Sequence, residues 1–222
     1  MQIEIETDLV EFNNWQLRIR KPSNRSSDRV LLLLHGWSGD ENSMWIFAKD
    51  IPLDYWVISP RAPYLTGEKG YSWRSVIQNS SWGLPKISDF QPVMNNLIQM
   101  IRDWAVSSSV ELKTIDLIGF SQGAALICTF LLSAHVNIEK AACLAGFMPD
   151  GGKEIALPGM LKGKKIFVSH GIGDEIIPLS RGQEMVNILK YAGADVDLCA
   201  EEVGHKVGIQ CFRGLKFFFY NT

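Results

Sequence analysis

The sequence lacks the long apolar runs and the charge imbalance that would tie it to a membrane or to nucleic acid. No apolar run approaches the roughly 20 residues that a helix needs to cross a bilayer. The formal net charge is −2, so no overall positive field attracts nucleic acid or an anionic membrane. The N-terminal segment MQIEIETDLVEF is acidic and alternating, unlike the basic and apolar regions of a signal peptide. We therefore expect a cytoplasmic protein without stable membrane insertion or a nucleic-acid partner.

Cysteine is scarce as well. The four cysteines, Cys128, Cys143, Cys199 and Cys211, are too few in a 222-residue chain for a disulfide framework, and none falls in a C-x-x-C pair. Free cysteines of proteins in reducing compartments are commonly buried. We expect all four to be buried thiols.

The apolar pattern changes along the chain in a way that is typical of an α/β fold. Residues 2–7 and 15–20 alternate apolar and polar side chains, which predicts two antiparallel strands with a turn near Asn13 and Asn14. Later apolar runs are continuous, as in strands that are buried on both faces of a parallel sheet. These runs, with a more alternating last segment, predict strands at 30–36, 55–60, 114–120, 140–147, 164–171 and 195–201.

Helical spacing of apolar residues falls between these strands. It predicts helices at 89–106, 122–134, 181–192 and 207–219. Pro92 is acceptable only in the first turn of its helix, and Ser180 with Gln183 predicts a capping box before a helix that ends at Gly193. Alternating strands and helices after an antiparallel hairpin predict a mostly parallel central sheet with helices on both faces. The chain is expected to form a single domain over residues 1–222.

A serine occupies a cramped turn where a predicted strand meets a predicted helix. Residues 119–123, GFSQG, form a G-x-S-x-G sequence around Ser121. Glycine two positions before and two after the serine removes Cβ atoms that would clash in so sharp a turn. The following helix offers free N–H groups and the positive end of its dipole to a developing oxyanion. The pattern predicts a nucleophile, and an incidental serine in a glycine-rich turn is the alternative.

A serine nucleophile needs a base, usually a histidine that a carboxylate orients. Of the four histidines, His205 lies in EEVGHKVG after the last predicted strand, where a loop could carry it over the serine. His170, at the end of a buried strand, is the alternative base, although we expect it to be structural. His35 also ends a buried strand, and His135 follows a helix.

The orienting carboxylate is expected on a loop that follows a strand between the serine and the histidine. Asp174 in SHGIGDEIIP fits this place best, with Glu175 and Asp150 nearby. The chain order serine, aspartate, histidine is the order of the α/β-hydrolases. An oxyanion hole needs two donors. We expect them to be the N–H groups of Gln122, directly after the serine, and of Trp37, which follows a glycine after the first buried strand.

Several segments carry a resemblance to a known family. They are LLLLHGWSGDENS, PRAPY with YSW, LIGFSQGAAL, LAGFMP, SHGIGDEIIP and VGHKV. Together they resemble the phospholipase/carboxylesterase family of α/β-hydrolases, which includes acyl-protein thioesterases and small bacterial carboxylesterases. The resemblance runs from about Val30 to the C-terminus. It implies an α/β-hydrolase fold, a triad of Ser121, Asp174 and His205, and an oxyanion hole at Gln122 and at Trp37, where the family usually has leucine.

These expectations describe a serine hydrolase that cleaves carboxylic esters of short to medium acyl chains through an acyl-enzyme, with no metal or cofactor. The expected partner is a small-molecule ester or thioester. Acyl-protein thioesterase or lysophospholipase activity, acyl transfer and peptide hydrolysis are alternatives for the same triad, and a binding module without turnover is another. The long irregular stretch 60–88 predicts an apolar wall for the acyl chain or packing onto the body of the protein. The residues expected there are Tyr64, Leu65, Tyr71, Trp73 and Trp82.

Overall fold

The computed structural model describes residues 6–24, 26–67, 69–75 and 84–221. Its strands are β1 Asp8–Phe12, β2 Trp15–Arg20, β3 Val30–Leu34, β4 Trp56–Pro60, β5 Tyr64–Leu65, β6 Tyr71–Ser72, β7 Ile115–Phe120, β8 Ile138–Leu144, β9 Lys165–Gly171 and β10 Asp195–Glu201. Its helices are α1 Trp45–Ala48, α2 Ile87–Ser107, α3 Gln122–Ser133, α4 Gly152–Ile155, α5 Leu179–Tyr191 and α6 Ile209–Tyr220. Among these described helices, none combines the length and the apolar character that a bilayer crossing requires.

A central sheet organises the described residues. Its strand order is β1-β2-β4-β3-β7-β8-β9-β10. β1 pairs with β2, and β2 with β4, in antiparallel fashion, whereas each neighbouring pair from β4 to β10 is parallel. The sequence prediction of a mostly parallel sheet that begins with an antiparallel hairpin is confirmed. The carboxyl ends of the parallel strands lie at one edge, where open α/β sheets place their chemistry.

Both faces of the sheet are covered by helices. The side chains of β3 alternate between two cores, because successive residues of a strand point to opposite faces. Leu32 packs in the larger core with apolar residues of α2, α3 and α5. Leu31 packs in the smaller core with apolar residues of α1 and α6. This arrangement explains why β3 is a continuous apolar run rather than an alternating one.

Three local predictions were wrong. The first strand begins at Asp8, after the predicted segment 2–7, of which residues 2–5 lie outside the described part. α2 begins at Ile87 because the carboxylate of Asp89 accepts the N–H of Lys86 at 2.9 Å, so Pro92 lies in the second turn. No capping box forms at Ser180. α5 has already begun at Leu179, and the carbonyl of Pro178 accepts the N–H of Arg181 at 2.8 Å.

The expectation of four free thiols is also wrong. Cys199 of β10 and Cys211 of α6 form a disulfide, with their Cα atoms 5.6 Å apart. Cys128 and Cys143 are free and buried, as expected. The sequence spacing did not reveal the pair because α6 folds back against β10 and brings the two cysteines together. The cysteines therefore do not support a reducing compartment.

The predicted turn at Asn13 and Asn14 joins β1 to β2, and both residues have positive φ, 48° and 64°. A two-residue turn with two positive φ values is the type I′ turn of β-hairpins. We expect Asn14→Ala to lower the free energy of unfolding by about 1 kcal/mol, because alanine is disfavoured in the left-handed region. Asn14→Gly should stay within about 0.5 kcal/mol of the wild type or exceed it. Urea denaturation measures both values, and equal losses in the two variants would contradict the assignment.

Candidate active site

Ser121 occupies a sharp turn between β7 and α3. Its φ of 52° and ψ of −113° lie in a backbone region that residues other than glycine rarely adopt. A Cβ added to Gly119 would lie 2.5 Å from the carbonyl carbon of Gly123. A Cβ added to Gly123 would lie 2.1 Å from the carbonyl oxygen of Leu34 in β3. The glycines therefore allow the helix to approach the sheet closely, with the serine held at the turn.

Asp174 and His205 meet at the carboxyl ends of β9 and β10. The carboxylate Oδ2 lies 2.7 Å from Nδ1 of the imidazole. Its other oxygen, Oδ1, accepts the backbone N–H groups of Ile176 and Ile177 at 3.0 and 2.9 Å. A carboxylate can only accept, so Nδ1 carries the proton of this hydrogen bond. In the neutral ring, Nε2 is then the nitrogen that can take a proton.

The environment of Asp174 favours its ionised form. Burial alone would raise the pKa of the carboxyl group. The hydrogen bonds from the Ile177 N–H, from His205 and from the Ile176 N–H, with the charge of the imidazole, outweigh burial and hold the pKa of Asp174 below its usual range. The group can therefore stay charged beside His205 although its side chain is fully buried.

Ser121 and His205 line the same cleft, whose volume is about 780 Å³. The ring of His205 lies 5.0 Å, centroid to centroid, from the ring of Phe120. The other described walls are mainly apolar. They are formed by Trp37, Met44, Ile46, Phe47, Phe120, Ile176, Val207 and Phe212. A cleft of this size and character is typical of sites for small, largely apolar molecules.

The alternative base, His170, and the other buried histidine, His35, are not among the described residues that line the cleft. The side chain of His170 is fully buried, and its Nε2 donates to the carbonyl of Ile177 at 2.7 Å. Its Nε2 is 3.7 Å from Oδ2 of Asp174, so it packs behind the carboxylate rather than in the cleft. His35 is buried beneath Trp73, and burial lowers its pKa. The structure thus brings Ser121 together with the predicted Asp174 and His205.

The two residues expected to supply the oxyanion donors lie near the serine, Gln122 directly after it in the chain and Trp37 in the lining of the same cleft. Gln122 is the first residue of α3, and the first N–H groups of a helix have no partner within it. Its buried side chain donates to Oγ of Ser72 at 3.0 Å and accepts the Trp73 N–H at 2.9 Å. Trp37 lines the cleft from the loop after β3. The same loop is close to the serine, since a Cβ added to Gly36 would lie 3.4 Å from Cβ of Ser121.

Of the residues in 60–88 that were expected to form an apolar wall, those that the structure describes do not line the cleft. Trp73 is fully buried, and its indole N–H donates to the carbonyl of His35 at 2.7 Å, so this residue supports the loop after β3. Tyr71 packs its ring 4.8 Å from the guanidinium of Arg61, and Leu65 is 61% exposed. Neither these residues nor Tyr64 are among the described residues that line the cleft, and Trp82 lies outside the described part.

The residues that do form the wall were missed. Met44 and Phe47 lie at α1, directly after the loop that carries Trp37, and Phe212 lies in the first turn of α6. The rings of Phe47 and Phe212 stack at 5.4 Å. The apolar run MWIFA after the loop was the available signal, although its packing against α6 depends on the tertiary fold.

The chain and its fold are similar to those of known hydrolases. A family model described as Phospholipase/Carboxylesterase matches residues 16–222. Acyl-protein thioesterase 1 of Candida albicans is 26% identical over 195 residues, which cover 79% of this chain and 83% of that protein. The fold is similar to a Bacillus cereus carboxylesterase, with a TM-score of 0.81 and 22% identity over 94% of each chain. A Mesorhizobium loti carboxylesterase gives a TM-score of 0.78 at 19% identity, over 97% of this chain and 99% of that one. The α/β-hydrolase fold is thus confirmed.

The lowered pKa of Asp174 predicts how stability depends on pH. Ionised Asp174 contributes stability above its unfolded-state pKa, about 4, and this contribution is lost as the pH falls through the lower folded-state value. We expect the advantage of the wild type over Asp174→Asn in free energy of unfolding to shrink as the pH falls from about 5 to below 3. Urea denaturation at a series of pH values measures it. A difference that stays constant over this range would contradict the pKa direction.

Proposed function

This chain belongs to the phospholipase/carboxylesterase family of hydrolases, and we propose on that premise that it cleaves carboxylic esters through an acyl-enzyme on Ser121. One observation carries the proposal. His205, which is hydrogen-bonded to Asp174, lines the same cleft as Ser121, and Ser121 is held at a strained turn between a strand and a helix. A base that an acid orients, in the same cleft as the hydroxyl, is the combination that activates a serine nucleophile.

In the proposed mechanism, Oγ of Ser121 attacks the ester carbonyl while Nε2 of His205 takes its proton. Asp174 keeps the proton of the imidazole on Nδ1 and stabilises the imidazolium as it forms. The N–H groups of Gln122 and Trp37 would stabilise the negative oxygen of the tetrahedral intermediate. The imidazolium then protonates the leaving alcohol. Water, activated by the same histidine, hydrolyses the acyl-enzyme and regenerates the serine.

The lining and the volume of the cleft support the proposal that the substrates are esters of short to medium acyl chains. Its described walls are mostly apolar, and its volume of about 780 Å³ holds a small organic molecule. Thioesters are a second candidate, because the relative from Candida albicans is named an acyl-protein thioesterase. The same acyl-enzyme would form from either substrate, and only the leaving group would differ.

The nucleophile can be identified by covalent labelling. A fluorophosphonate probe should modify Ser121, because a serine reacts readily with such a probe only when a base activates it. Ser121→Ala should abolish labelling and reduce ester hydrolysis by about 10³-fold or more. Peptide mass spectrometry locates the label, and circular dichroism checks the fold.

The matched control is Ser180→Ala, which removes a hydroxyl from α5, outside the cleft. It should label and turn over like the wild type. Labelling at a serine other than Ser121, or full hydrolysis by Ser121→Ala, would overturn the proposal.

Phe212 is expected to set part of the preference for acyl length. Each methylene buried against an apolar wall gains up to about 0.8 kcal/mol, or roughly fourfold in kcat/KM, until the site is full. We expect Phe212→Ala to flatten the profile of kcat/KM against chain length in a series of p-nitrophenyl esters. Phe217→Ala, on the same helix but 70% exposed and outside the cleft, is the control and should keep the wild-type profile. The same flattening in both variants, or in neither, would exclude this role for Phe212.

A further inference from the structure

The disulfide closes the segment that carries His205. Cys199 lies in β10 and Cys211 in the first turn of α6, twelve positions apart, and His205 lies midway between them. Other cleft residues follow on the same segment. Val207 lies on the loop, and Phe212 comes directly after the second cysteine. A covalent bond thus joins the two ends of the loop that holds the proposed base.

We propose that the Cys199–Cys211 disulfide is a positioning element for His205, and that hydrolysis therefore depends on the oxidation state of this pair. The inference rests on the proposed role of His205 as the base. It assigns no part in the reaction to either sulfur atom. The disulfide acts only by fixing the position of the loop that carries His205.

The first half of the loop is attached to the segment of Asp174 without help from the disulfide. The N–H of Ile172 donates to the carbonyl of Glu201 at 2.9 Å, and that of Gly173 donates to the carbonyl of Val203 at 3.1 Å. A Cβ added to Gly171 would lie 2.2 Å from the carbonyl oxygen of Gly204, so the two backbones are in close contact. These contacts hold the loop as far as the residue before His205.

The second half is held at its far end, where α6 begins. There the carboxylate of Glu201 accepts the N–H groups of Gln210 and Cys211 at 3.0 and 3.2 Å, and the disulfide joins the same turn to β10. Water competes for the hydrogen bonds of Glu201, because the groups that form them are partly exposed. Water does not compete with the covalent bond. Without the disulfide, the start of α6 keeps fewer constraints, and His205 lies between a fixed half and a loosened one.

A small displacement of the imidazole is enough to slow catalysis. A shift of about 1 Å in a catalytic group can cost on the order of 10²-fold in rate. Since the first half of the loop stays attached, we expect partial rather than complete loss on reduction, roughly tenfold to a hundredfold in kcat. KM should change less, because Trp37, Met44 and Phe47 line the cleft from elements that the disulfide does not join.

Reduction by a dithiol accounts for all atoms and electrons. A thiolate of the reagent attacks the sulfur of Cys199, which is partly exposed, and the Cys211 sulfur leaves and takes a proton. The second thiol of the reagent then attacks the mixed disulfide, closes a cyclic disulfide and releases Cys199. Two electrons and two protons pass from the reagent to the protein, and the S–S bond is replaced by two thiols.

The test compares oxidised enzyme, dithiothreitol-reduced enzyme and the C199A/C211A variant, well below their unfolding temperatures. Alkylation and mass spectrometry establish the redox state. We expect kcat for a p-nitrophenyl ester to fall roughly tenfold or more in the reduced enzyme and in the variant, and to recover when the reduced wild type is reoxidised. Dithiothreitol should leave the variant unchanged, which serves as the matched control. In NMR spectra, the Nδ1 proton shared by His205 and Asp174 should broaden or shift on reduction.

The outcomes separate this inference from the proposed function. If the reduced enzyme has two newly alkylated cysteines, keeps kcat within about twofold of the oxidised enzyme and keeps its Nδ1 resonance, the disulfide serves stability alone and the inference is wrong. If the oxidised enzyme hydrolyses no ester, or Ser121→Ala hydrolyses it equally well, the proposed function fails instead. The Nδ1 resonance still tests the positioning of His205 in that case, because it does not depend on turnover.

Discussion

The site depends on the close approach of α3 to the end of β3. Gly123 leaves so little space that an added Cβ would lie 2.1 Å from the carbonyl oxygen of Leu34. This contact fixes the start of α3, and therefore the position of Ser121, relative to the end of β3. The residues that follow β3 form the loop of Gly36 and Trp37. Serine and loop are thus positioned by one packing contact between strand and helix. A larger residue at position 123 would displace both partners of the proposed oxyanion hole.

A chain of buried hydrogen bonds keeps that loop in place from behind. The side chain of Gln122 holds the backbone of Trp73, whose indole donates to the carbonyl of His35, and His35 accepts the N–H of Ala62 at 3.1 Å. Each of these groups is buried, and an unsatisfied partner would cost about 1–3 kcal/mol. An aromatic residue that the sequence places near the substrate therefore stabilises the site without lining the described cleft.

What could be predicted from the sequence follows from local rules. The turn around Ser121 shows in its glycines, and the places of Asp174 and His205 follow from the rule that active residues gather at the carboxyl ends of parallel strands. The sequence could not show which apolar side chains face the cleft, because Phe47 and Phe212 meet only when α1 and α6 pack together. The disulfide escaped prediction for the same reason, since its geometry depends on how α6 folds against β10.

The two histidines that competed for the role of base differ in their place relative to the sheet. His170 belongs to β9, inside the sheet, so its ring is buried and donates to the carbonyl of Ile177. The N–H of that same residue donates to Oδ1 of Asp174, while His205, on a loop beyond β10, donates to Oδ2. One histidine thus braces the turn that holds the carboxylate, and the other receives its orientation from it. The serine half of the site is fixed by packing of β3 against α3, and the acid–base half by the loops after β9 and β10. The cleft lies where these two halves meet. Its proposed chemistry therefore requires that each half keep its position, although different contacts fix the two.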